Sequence, residues 1–342
     1  MKSALSRCVG ALLSVAALYV VSGPASAQQP VELRLAFPAP GVSPLNAQGF
    51  TPWAKDIEAA SGGTLAIRVI GGTTLATFET VWDRVIKGVA DMGFGVSASV
   101  GGQFPKTEVA ALPFELDNPR EGSLALWRLY QRGLIAEEYN DVKLLGLFTF
   151  GHAAIHTRNA RIKSLTDLKG LKLRAGGKLE GDMIAALGGA PITINPADIY
   201  QSISNGLIDG AVVQWTAMNS FKIYEVAKNH LRAPLGSSTA FIAMNKRSYD
   251  KLPAQAKAAI DKYSYEALSR RMGDVVNKMD DFAQENVAKQ PGQVIETIPK
   301  EEAARWQKQL QAISDGWVKS TPNGAAILSG FREEIKKARA GQ

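Results

Sequence analysis

Three histidines, one cysteine and a scatter of arginines and carboxylates are the raw material for chemistry in this 342-residue chain. His152 and His156 have the four-residue spacing that puts two ligands on one helical face, but their surroundings are β-forming, where that spacing separates them along a strand. No acidic residue stands close enough in sequence to complete a metal site. The only cysteine, Cys8, lies near the amino terminus, so the rest of the chain has no thiolate ligand and no disulfide. Serine nucleophiles lack a G-x-S-x-G elbow. The glycine-rich Gly93–Ser99 stretch lacks G-x-G-x-x-G spacing, and no G-x-x-x-x-G-K-[ST] phosphate loop occurs. No cofactor is therefore expected, and nothing positive marks an enzyme.

Arg174 is different. It ends Leu171-Lys172-Leu173-Arg174, an alternating strand pattern, and Ala175-Gly176-Gly177 follows with almost no side-chain bulk. A guanidinium is a planar two-pronged donor that matches a carboxylate, which a lysine ammonium does not reproduce. Such a side chain has the chemistry to hold an anion with no bond made or broken, although an arginine at a strand end is more often a solvated surface charge.

The elements that must hold such a residue follow from periodicity. Around Arg174 the pattern reads strand 171–174, helix 179–187 ended by Gly188-Gly189, strand 190–194, helix 196–204 ended by Asn205-Gly206, and strand 208–213. The first hundred residues repeat that order: strand 31–37, helix 44–60, strand 65–70, helix 81–86 and strand 90–94. Two β-α-β-α-β units predict two α/β lobes, each a mainly parallel sheet flanked by helices, with ligands expected where strand ends gather between them. The strand-end loops supply further candidates: Phe37, Thr73, Thr77, Phe94 and Ser97 in the first unit, Gln214 and Trp215 in the second. Trp215 reads as a wall of the site.

Strand 142–149 leaves the first lobe, Phe150-Gly151-His152 is a hinge crossing, and strand 153–157 enters the second. Strand 235–243 brings the chain back. Residues 253–290 stay helical in period, as one long helix or as two interrupted near Gly273; a single one would reach about 55 Å at 1.5 Å per residue. The expected partition is 31–150 with roughly 243–280 in the first lobe, and 151–242 with roughly 281–330 in the second.

Residues 1–27 have the form of a secretory signal: Lys2 and Arg7, the apolar run Val9–Val21, then Ala25-Ser26-Ala27 as a cleavage site. No later stretch approaches the ~20 apolar residues of a membrane span. The chain carries +7 formal charges, two of them in this leader, and the rest are interleaved with acids. That distribution disfavours a nucleic-acid surface. A soluble, monomeric, exported protein is expected.

The segments DLKGLKLR, ALGGAPI, DIYQSISNGLIDGAVVQW and FKIYEV, with residues 52–72, 85–95, 111–114 and 244–253, resemble in order the substrate-binding proteins of tripartite ATP-independent periplasmic (TRAP) transporters, dicarboxylate-binding type. The resemblance implies a two-lobed periplasmic binding fold with a long helix spanning both lobes. It also implies delivery of a small organic acid, mono- or dicarboxylate, to the membrane subunits of a TRAP permease. It places the carboxylate-binding arginine at Arg174 and a second basic residue before DLKG, for which Arg158 is preferred over Arg161 and Lys163. Where similar proteins often carry an asparagine that reaches the ligand, this chain has Val213, which points to a less polar ligand such as a monocarboxylate or 2-oxo acid. A periplasmic hydrolase using the same cleft and a ligand-sensing subunit are the competing readings.

Overall fold

The computed structural model describes residues 29–341, so the proposed leader lies outside the described residues. The chain opens with β1 (Val31–Phe37), α1 (Thr51–Ala60), β2 (Leu65–Gly71), α2 (Val81–Ile86) and β3 (Met92–Val96). β1 pairs in parallel with both β2 and β3. Next come α3 (Pro119–Gln131) and β4 (Lys143–Thr157). α3 starts at Asn118, whose side chain accepts the Glu121 N–H at 3.0 Å while Glu121 reaches back to the Asn118 N–H. With Pro119 in the first turn, this is a complete start signal.

The second half contributes β5 (Lys172–Ala175), α4 (Lys178–Ala186), β6 (Ala190–Thr193), α5 (Ile199–Ser204), β7 (Gly210–Gln214), α6 (Trp215–Ser220) and β8 (Asn229–Arg232). β9 (Ser237–Met244), α7 (Lys246–Asp250), α8 (Ala254–Lys262), α9 (Tyr265–Ala288), β10 (Val294–Thr297), α10 (Lys300–Ser320) and α11 (Gly324–Arg339) complete it. β5 pairs in parallel with β6 and β7, and β8 with β10.

β4 joins the two sheets. Its first part pairs antiparallel with β9, and Ala153–Thr157 pairs antiparallel with β7. The register breaks between Thr149 and His152, at the expected hinge crossing. The result is the two-lobed, mainly parallel α/β architecture expected from the repeated pattern.

Several elements depart from the sequence reading. The helical stretch 253–290 is two helices, and the break falls at Tyr263–Ser264, before a Tyr265 held at φ 67°, instead of at Gly273. Gly273 has another role: a Cβ there would lie 2.8 Å from the Cα of Arg120 and 2.9 Å from Ser123 Oγ, so its bare backbone lets α9 press against α3. α9 packs on α3, β4 and α6, which belong to both halves. β9 pairs with β3 and with β4 up to His152, so residues 237–242, expected in the second lobe, lie in the same sheet as β1–β3. α10 begins against α4, while α11 packs back on α3, so the chain crosses once more after residue 300. α6 and β8 escaped sequence reading. Both are short, and β8 exists only because β4 and β10 flank it.

Candidate ligand-binding site

Arg174 stands near the end of β5, and its neighbours there explain its position. Nε donates to the Ile194 carbonyl at 2.8 Å, and Nη1 donates to the Val212 carbonyl at 3.0 Å. Nη1 also lies 3.4 Å from Glu180 Oε2 on α4. These partners come from the residue just after β6, from β7 and from the helix that follows β5, so the β-α-β unit itself locks the guanidinium. Only 4% of the residue is exposed. Burial lowers its pKa and Glu180 raises it, but an arginine stays charged throughout the physiological range.

The guanidinium faces a cleft between the two lobes. Phe78, Phe94, Phe150 and Phe221 form much of its wall, with Leu45, Val213 and Met279. Phe94 is held by Phe37 and Phe148, stacked at centroid distances of 5.2 and 5.9 Å, and by Phe78 edge-on at 6.1 Å. The polar fraction is small: Ser43, Ser99, Gln214, Thr216, Ser220 and Ser238. The Gln214 side-chain amide forms no hydrogen bond among the described residues, and its Nε2 is fully buried. An unpaired amide in such a place costs about 1–3 kcal/mol unless a ligand partners it. Among the described residues, Arg174 is the one charged side chain lining the cleft; no histidine, aspartate or glutamate does so.

The structure thus brings together Arg174, Phe94 and Gln214 of the residues singled out from sequence. The others go elsewhere. Arg158 is exposed, and its Nη1 donates to the carbonyls of Ile203 and Ser204 at the end of α5. β4 has already left the cleft by that residue. Trp215 points away from the cleft into a second cavity it shares with His152, Arg232 and Asp280. It packs edge-on against His156 at 4.8 Å and against His230 at 5.5 Å. Phe37 is buried in the first-lobe core behind Phe94. Ser97 is buried outside the lining, Thr73 is exposed, and Thr77 shapes the turn into α2 through Thr80 Oγ1, 2.9 Å from its N–H.

Ser43, Phe78, Phe150, Phe221, Ser238 and Met279 were missed because they come from six separate segments. Only Phe150 carried a signal, since it lies in the segment read as the crossing between lobes, where β4 passes from one sheet to the other.

His156 and His230 are buried with their Nδ1 atoms 2.8 Å apart, and burial lowers the pKa of both, His230 to about 4. No group of three or more His, Cys, Asp or Glu suited to a metal occurs among the described residues. The arrangement can hold one small anion with an apolar body.

Two lobes joined by a strand shared between their sheets, and one buried arginine in a largely apolar cleft, define a solute-binding protein for an organic anion. Residues 42–321 match the family of bacterial extracellular solute-binding proteins, family 7 (DctP), and the chain belongs to that family. It is similar to a TRAP solute-binding protein from Rhodoferax ferrireducens T118 solved with copurified benzoate. That likeness has 27% identity and a TM-score of 0.88, and covers 91% of this chain and 100% of that one. It is also similar to a TRAP periplasmic solute-binding protein from Bordetella bronchiseptica with bound (R)- and (S)-mandelate. There the identity is 26% and the TM-score 0.84, with 90% and 100% of the two chains covered. Among curated proteins it is similar to the outer membrane transporter protein TsaT of Comamonas testosteroni. The identity is 27% over 235 residues, 67% of this chain and 69% of that one.

Proposed function

We propose that this protein captures an aromatic or comparably apolar monocarboxylate and delivers it, unaltered, to the membrane subunits of a TRAP permease. The observation that carries this reading is the pairing of one buried arginine with a phenylalanine-lined cleft. A charge-assisted hydrogen bond contributes about 1.5–3 kcal/mol net. Burial of about 150 Å² of ring surface adds about 4 kcal/mol at ~25 cal/mol per Å². A second carboxylate would find no second cation in the cleft, so a dicarboxylate would bury one charge unpaired. The benzoate and mandelate bound by the two similar proteins fit the same chemistry.

Export after removal of residues 1–27, a periplasmic location and lobe closure about β4 and α9 belong to this reading. Contacts made only in the closed form would shift the population towards it. No side-chain base faces the cleft among the described residues, which favours a receptor over a hydrolase.

The test is calorimetric titration with benzoate, 3-hydroxybenzoate, mandelate, pyroglutamate and succinate, together with mass spectrometry of ligand retained on purification. Saturable binding of the aromatic acids without product is expected. Binding of succinate alone, or turnover of any acid, would overturn the proposal.

A further inference from the structure

The hydrogen-bond accounting at Arg174 leaves one nitrogen open. Of five N–H donors, Nε–H goes to Ile194, and Nη1 serves Val212 and Glu180. Nη2 has no partner among the described residues, and the space beside it is kept clear by Gly176, whose Cβ would come within 3.0 Å. A carboxylate engages a guanidinium best through two parallel bonds along one edge. With Nε committed to a backbone carbonyl, the edge left is Nη1–Nη2, and Glu180 already holds Nη1. An incoming carboxylate therefore meets another carboxylate on the same guanidinium.

Glu180 has little else to hold its charge. Its side chain is 14% exposed, and its other partner is the Gly176 N–H, which donates to the same Oε2. Burial pushes the carboxyl up, and Arg174 is the charge that pulls it back down. Glu108 and Glu180 line one small cavity beside Gly176 and Ser238, and burial pushes the Glu108 carboxyl up to about 7. Lys178 and Asp182 on α4 pair with each other, Lys178 exposed and Asp182 about half so. β4 and β7 offer Ile155 and Val212, while α10 presents Trp306 and Leu310 to the apolar side of α4. Among the described residues, Arg174 is the one cation paired with Glu180, and Lys178 on the same helix is paired with Asp182 instead.

We propose that Glu180 is the counter-ion of the empty cleft and takes up a proton when a ligand carboxylate displaces it from Arg174. The receptor would then capture an acid together with one proton from solvent. The ion pair with Glu180 is exchanged for an ion pair with the ligand, and Glu180 becomes a neutral carboxylic acid. The net charge of the site is zero before and after; without the proton it would be minus one in a place with little water, where two carboxylates strongly raise one another's pKa. This inference deepens the proposed anion-binding role and rests on it.

The linkage has a definite sign. Between the carboxyl's pKa in the empty protein and its higher value in the complex, the dissociation constant rises up to tenfold per pH unit as pH increases. The experiment is titration of the full chain with benzoate, ionised over the whole range, at about pH 6 to about pH 8.5 in two buffers of different ionisation enthalpy. Expected are uptake of up to about one proton per benzoate and weakening affinity towards high pH. Glu180→Gln keeps an acceptor for the Gly176 N–H without the charge. It should bind about tenfold tighter than wild type at the alkaline end, with no proton uptake and a flat pH profile. Proton-free, pH-independent binding by wild type would overturn the assignment, as would wild-type proton uptake surviving in Glu180→Gln. The wild-type measurement needs no variant to fold. Failure of wild type to bind any acid of the panel at any pH would instead refute the binding role itself.

Discussion

Removing Arg174 should damage the empty protein as well as its binding. Arg174→Ala takes a donor from each of two carbonyls, Ile194 and Val212, and leaves Glu180 without its counter-charge. A buried polar group stripped of its partner costs about 1–3 kcal/mol. The residue is 4% exposed, but the vacated space opens on the cleft, so water restores part of the loss. A net destabilisation of about 2–4 kcal/mol is expected, a large share of a domain's total stability. The assay is urea denaturation of the ligand-free protein at neutral pH, followed by tryptophan fluorescence, comparing midpoints at constant slope. Arg174→Ala with Glu180→Gln should recover about 1 kcal/mol or more, because the stranded carboxylate is gone. A single variant within about 0.5 kcal/mol of wild type would show that the guanidinium is not integrated into the second-lobe sheet as argued. Loss of acid binding must then be read at temperatures where the variant is still folded.

Three further outcomes are expected. Burial pushes the Asp280 carboxyl up to about 7 from 3.8, against the pull of the Thr216 N–H bond. Folded protein then binds a proton that unfolded chain lacks between those values, so stability falls as pH rises through that window. Asp280→Asn should stabilise by about 1–3 kcal/mol at about pH 8 and by little near pH 4; equal gains at both would contradict the burial argument. Gly273→Ala should cost about 1–3 kcal/mol by forcing α9 off α3, despite the better helix propensity of alanine; a stabilised variant would show that the crossing is loose. Val213→Asn should weaken benzoate binding about tenfold or more while leaving hydroxylated acids less affected. An unchanged benzoate constant would remove Val213 from the cleft wall.

Both Gln214 and Trp215 were singled out, and the structure sends them to different places. Gln214 ends β7 and looks into the cleft, while Trp215 starts α6 and packs behind it. Val213, Gln214 and Thr216 all line the cleft, so strand alternation does not separate the two; Trp215 is the first residue of α6, and the turn from strand to helix, which sequence composition does not mark, aims it the other way. Arg158 failed for a related reason. It stands at a strand's carboxyl end, near which Arg174 also lies, but β4 runs antiparallel to β7, so its end lies at the opposite edge of the sheet from the end of β5.

The sequence by itself determined most of the elements and their order, because strand and helix periods and their glycine, asparagine and proline boundaries are local properties; the short α6 and β8 and the break at Tyr263–Ser264 carried no such local signal. It also determined that one arginine would stand at a strand end with bare backbone after it. The tertiary structure alone decided what joins that arginine. Ser43, Phe78, Phe150, Phe221, Ser238 and Met279 meet only after β9 has returned between β3 and β4 and α9 has spanned both lobes. Periodicity carries information over a few residues, whereas a cleft is made by segments far apart in the chain, whose meeting depends on sheet order and register.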